Sequence, residues 1–142
     1  LMEGTVRCVS DHTRSRVEQL FAEVVSGVTA AHGCTAEIEY HRGYPVTVND
    51  DTEYAFLQET VEDVFGADRH YLMPHPEAGA EDFAFVAERV PSAYVFLSAC
   101  PAEDPSTAPD NHSPRAHFDD SVLPDQAVLL AELALRRLRD PR

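Results

Sequence analysis

The 142 residues contain no lysine, so all 11 basic side chains are arginine, a lack read here as coding bias. Those arginines face 25 aspartates and glutamates, giving a formal net charge of −14. A field this negative repels phosphate backbones and anionic lipid, which excludes nucleic acid and acidic membranes as partners. Long apolar runs are missing as well. No stretch approaches the roughly 20 residues of a spanning helix, and the N-terminus shows no basic region followed by an apolar one. Cysteine is sparse: Cys8, Cys34 and Cys100 are far apart, odd in number and form no C-x-x-C. Neither a disulfide framework nor a zinc ribbon follows, and the expected setting is cytoplasmic with reduced thiols. G-x-S-x-G, the P-loop and G-x-G-x-x-G are all absent, so no nucleophile and no catalytic residue is assigned.

What is present is globular: 44% hydrophobic and 25% charged residues. Thr5 to Val9 reads as a short strand. Ser10 and Asp11 then offer N-cap oxygens to a long helix. In that helix Val17, Leu20, Phe21, Val24, Val25, Val28 and Ala31 repeat at helical spacing, and Gly33 marks its end. Residues 36–41, Ala-Glu-Ile-Glu-Tyr-His, alternate apolar and polar, the pattern of a half-buried strand. Asn49 and Asp50 can cap a second helix running to about Phe65, closed by Gly66. A strand near Tyr71 and Leu72 is expected next. A short helix follows Gly79, with Glu81 and Asp82 in its first turn, where carboxylates suit the helix dipole. Residues 93–97, Ala-Tyr-Val-Phe-Leu, predict a strand covered on both faces. The last helix, roughly Pro124 to Leu138, is too apolar for a solvated surface and needs a large partner surface.

Two stretches carry candidate chemistry. "PDNHSPRAHFDD", from Pro109 to Asp120, sets His112 and His117 five residues apart among three aspartates. Neutral imidazole is the commonest ligand for zinc-like ions, and Asp110, Asp119 and Asp120 could fix a ring. The spacing also suits two surface histidines in a polar loop, and a tight site needs at least three protein ligands. His70 and His75, similarly spaced around Pro74, are read as surface residues. "GAEDF", residues 79–83, is the second stretch. A glycine before a helix lets backbone N–H groups approach an anion, while plain helix capping explains the acids equally well.

Taken together and in order, "GTVR", "RGYPVTVND", "GAEDFAF" and "NHSP…FDDSVL" resemble the later part of the metal-dependent N-acyl-amino-acid amidohydrolases. That group includes hippurate hydrolase, aminoacylase-like peptidases and auxin-conjugate hydrolases. The resemblance implies an α/β fold in which part of a ferredoxin-like lid and dimerisation domain precedes the C-terminal part of a di-metal hydrolase domain. Residues 1–48 correspond to the second half of the lid and residues 49–142 to the closing segment of the catalytic domain. By the same resemblance His112 matches the last metal ligand, and Gly79, Ala80 and Glu81 match a wall of the substrate pocket. Ala78 and Ala80 stand where the family usually has Met and Gly or Ser, which leaves substrate preference open.

The implied activity is hydrolysis of the amide bond in N-acyl amino acids or small peptides by a divalent metal pair (Zn, Mn, Ni or Co). The family's other ligands and its general-base glutamate lie in a first half whose motifs do not occur here. The chain is therefore expected to be a C-terminal fragment, inactive alone, with no ordered metal, and to form a homo-oligomer. Two other readings stand beside this one. One is a stand-alone dimerising interaction module without catalysis. The other is a small metal-binding protein using His112 and His117 with aspartates.

Overall fold

The computed structural model describes residues 1–139. It contains four α-helices: α1 (Asp11–Ala31), α2 (Asp51–Phe65), α3 (Ala84–Ala87) and α4 (Leu123–Arg139). Single 3-10 turns occupy Ala67–Arg69, Pro105–Thr107 and Asp120–Val122. The chain divides into two compact units. The first joins residues 1–50 to Leu72–Ala93, and the second joins Asp51–Tyr71 to the chain from Tyr94 onward.

In the first unit α1 is fixed at both ends by local chemistry. Ser10 is extended (φ −150°, ψ 147°) and its Oγ accepts the Thr13 amide at 3.2 Å, while Asp11 occupies the dipole-favoured first turn. At the other end Gly33 takes φ 66°, its amide bonds the Ala30 carbonyl at 3.1 Å, and the Cys34 amide bonds Thr29 at 2.8 Å. This is the Schellman stop, which satisfies the orphan carbonyls of the last turn. Arg14 donates to the Gly43 carbonyl at 2.6 Å, and Arg42 reaches Ser15 Oγ at 2.7 Å and Glu18 at 3.3 Å. These contacts pin the 40–43 loop to the first half of α1. The Phe21 and Tyr40 rings meet at 5.8 Å beside it. Val17, Leu20 and Val25 are half-buried, whereas Val24 and Val28 are exposed, so only part of the predicted stripe is covered. Tyr44 packs edge-on against Phe85 at 5.8 Å, and Ala84 is fully buried.

The second unit is organised by α2 and α4. The α2 residues Leu57, Thr60 and Val61 are its buried centre, and Thr60 Oγ1 donates to the Phe56 carbonyl at 2.9 Å. Across to α4, Arg137 pairs with Glu53 and lies 4.2 Å over the Phe56 ring, while Arg136 reaches Asp63 at 2.9 Å. Arg69 bonds Asp125 at 3.0 Å. Gly66 ends α2 at φ 104°, where a Cβ would stand 2.9 Å from Asp68 Oδ1. Successive residues of a helix turn about 100°. On that wheel Leu123, Val128, Leu130, Leu135 and Leu138, with Ala127, Ala131 and Ala134, share one arc of roughly 160°. Every residue of this arc is exposed, and the half-buried side carries Leu129 and Leu133 together with Asp125, Glu132, Arg136 and Arg137.

The strands expected at 5–9, 36–41, 71–72 and 93–97 are corrected: no β-strand occurs among the described residues, and no ferredoxin-like sheet is drawn. Alternation specifies which side of a strand is apolar, but a ladder exists only where a second strand supplies donors and acceptors. The expected double cover over 93–97 is likewise not seen, with Val95, Phe96 and Leu97 all exposed. The expectation for α3 shifts as well. Ala84 bonds the Glu81 carbonyl at 3.3 Å and Phe85 bonds Asp82 at 3.0 Å, both i to i+3 contacts, so Glu81 and Asp82 precede the helix.

Two substitutions test this picture. Leu57→Ala should lower stability by ~2–3 kcal/mol in urea unfolding, because it hollows the one buried centre of the second unit. A loss under about 0.5 kcal/mol, the scale of a surface change, would contradict that placement. Ser10→Ala should weaken the start of α1 by about 1 kcal/mol in amide hydrogen exchange, and Ser10→Asp should restore it. Equal exchange in the two variants would remove the cap from the account.

Candidate functional site

The loop from Cys100 to Asp120 is built by aspartates that fold the chain back on itself. Asp104 Oδ1 accepts the Ser106 amide at 3.0 Å and the Ser106 hydroxyl at 2.7 Å. Asp110 Oδ1 accepts the His112 amide at 2.8 Å, and the Asp110 carbonyl accepts Ser113 at 2.8 Å. Asp119 Oδ1 accepts the Ser121 amide at 2.9 Å, just before α4 begins. Each is an Asx turn, in which a short side chain stands in for a backbone turn. The Asp119 amide also donates to the Ala99 carbonyl at 2.8 Å, tying the end of the loop to its start.

His112 therefore rides on a turn whose backbone is held from both sides. Its side chain is exposed, and no described residue gives its imidazole a hydrogen-bond partner. The sequence offers Asp110, Asp119 and Asp120 as groups that orient a histidine ring. The structure gives Asp110 to the amide of His112 and Asp119 to Ser121 instead. A signal for this was present: an aspartate two residues before each recipient amide, in "DPS", "DNH" and "DDS", is the Asx-turn spacing.

His117 is exposed on the same loop and lines an open hollow of about 730 Å³ with Leu97, Cys100, Pro105, Asp110, Asn111 and Phe118. The sequence gives no sign of the hollow, because the residues that line it, nearly half of them proline or alanine, follow no periodic pattern. The second candidate stretch lies in the other unit. Gly79 and Ala80 are exposed, and a Cβ built on Gly79 would meet nothing within 4 Å. Neither strain nor packing within this unit requires glycine there. Glu81 is half-buried, and its Oε1 accepts the Phe83 amide at 3.2 Å. A helix of four residues sums little dipole, so the anion-binding argument for this stretch loses its force.

As a metal centre the described residues alone do not fit. Among the described residues no three His, Cys, Asp or Glu side chains converge to hold an ion. His112, His117 and the aspartates of this loop form no such group. Among the described residues no helix is long and apolar enough to cross a membrane.

Residues 3–136 match the profile of peptidase family M20/M25/M40. The chain belongs to this family. It is 31% identical to IAA-amino acid hydrolase ILR1-like 6 of Arabidopsis thaliana, over 99% of this chain and 31% of that protein. It is 28% identical to thermostable carboxypeptidase 2 of Saccharolobus solfataricus, over 95% of this chain and 33% of that one. A crystal structure from methicillin-resistant Staphylococcus aureus, of a protein assigned as an aminohydrolase, superimposes with a TM-score of 0.71 at 25% identity. That superposition covers 89% of this chain and 32% of the other. The chain thus spans about a third of the length of these two relatives. Membership agrees with the resemblance carried by the four ordered motifs.

The Asx turn at Asp119 has a pH consequence. Its carboxyl is held below the ordinary carboxylate value by the Ser121 hydroxyl first and the Ser121 amide second. A depressed folded value means the turn's stabilisation is present above the unfolded pKa and is lost as pH falls through the folded one. The amides of Ser121 and Val122 should therefore exchange faster as pH drops below about 4, after correction for intrinsic rates. Asp119→Asn keeps an acceptor but cannot ionise, so its exchange should lose that step. An unchanged step in the Asn variant would show that another group titrates.

Proposed function

We propose that the intact protein hydrolyses the amide bond of N-acyl amino acids or small peptides, and that these 142 residues form its C-terminal part. The observation that carries this reading is the family match over residues 3–136 together with an unpartnered, exposed imidazole at His112 on a locked turn. The names of the relatives, an amino-acid-conjugate hydrolase and a carboxypeptidase, support a small amide substrate.

In this reading His112 is one ligand of a divalent metal pair, binding as a neutral imidazole. The other donors are assigned to residues outside this chain, in keeping with the lack of three converging metal-ligating side chains among the described residues. Gly79, Ala80 and Glu81 form part of the substrate wall, where an open Gly79 leaves room for a ligand to approach the backbone. Residues 1–48 are assigned to the lid and dimerisation domain and residues 49–142 to the catalytic domain. A cytoplasmic setting suits three cysteines that are all free.

The uncovered arc of α4 favours a companion proposal. Leu130 and Leu138 are 62% and 78% exposed on a face without charge, which water solvates poorly. The isolated chain is therefore assigned a dimeric or larger state, whether or not catalysis accompanies it. A stand-alone dimerising module is the second reading that this face supports.

Three experiments separate these readings. The purified 142-residue chain should show no hydrolysis of N-acyl amino acids with added zinc, manganese, nickel or cobalt, whereas the full-length protein should be active. In the full-length protein His112→Ala should cut kcat/KM by about 100-fold or more and lower the bound-metal content, with the circular dichroism spectrum unchanged. Metal-dependent turnover by the short chain, abolished by His112→Ala, would overturn the fragment assignment. A full-length protein without amidase activity would leave the interaction module. Sedimentation equilibrium of the short chain should give a mass at least twice that of the monomer. A concentration-independent monomer would overturn the association.

A further inference from the structure

We draw no further inference here: the strongest candidate, the open hollow of about 730 Å³ between the 97–102 and 105–118 segments, shares its Asp110–Asn111 wall with the turn that carries His112 and belongs to the site already described.

Discussion

The second unit rests on where the arginines of α4 point. Arg137 is held by the Glu53 carboxylate and the face of Phe56, and Arg136 by Asp63, so the charged side of α4 faces α2. Ion pairs within reach of solvent contribute little each, and a cation over an aromatic face adds only modestly to them. Those terms are modest beside burial of apolar surface, at roughly 25 cal/mol per Å². Their role is directional. A helix that turns its arginines inward leaves most of its leucines outward, with Leu129 and Leu133 the half-buried exceptions, and the exposed arc from Leu123 to Leu138 is the direct result. A solvated amphipathic helix has the opposite arrangement.

What was legible in the sequence follows from how local each signal is. The ends of α1 needed only Ser10, Asp11 and Gly33, because a cap oxygen and a positive φ act within a few residues. The second helix was expected after Asn49 and Asp50 and runs Asp51–Phe65, and the last was expected over 124–138 and runs Leu123–Arg139. Strands were not legible in the same way. The alternation in residues 36–41 specifies a face, yet pairing depends on a neighbour whose position no local pattern encodes. The early start expected for α3 failed for a related reason. Acids before an apolar turn suit a helix N-terminus, but i to i+3 bonds closed a tighter turn there first.

The candidate site was legible as composition and illegible as geometry. A histidine in a polar loop ahead of an apolar helix was visible, and so were the aspartates around it. Their partners were not, because a carboxylate has two competing tasks: orienting a distant ring or folding its own backbone. For Asp110 and Asp119 the nearer task wins, since the amide two residues on is within reach at little entropic cost. Asp104, which no chemical argument had singled out, makes the same turn with Ser106. Three repeats of one device along one loop mark it as the way this segment is built.

That device bears on what His112 can contribute. Fixing the backbone of one residue costs about 1–2 kcal/mol, and a ligand on a slack loop meets that cost when it binds. Asp110 has already fixed the amide of His112, so the side chain is presented from a backbone with little further order to gain. The residue itself stays exposed. Preorganisation of one donor is still not affinity, because tight binding of a divalent ion takes at least three protein ligands and a shell that orients them. The turn accordingly supplies direction to the His112 backbone, and direction alone does not make a metal site.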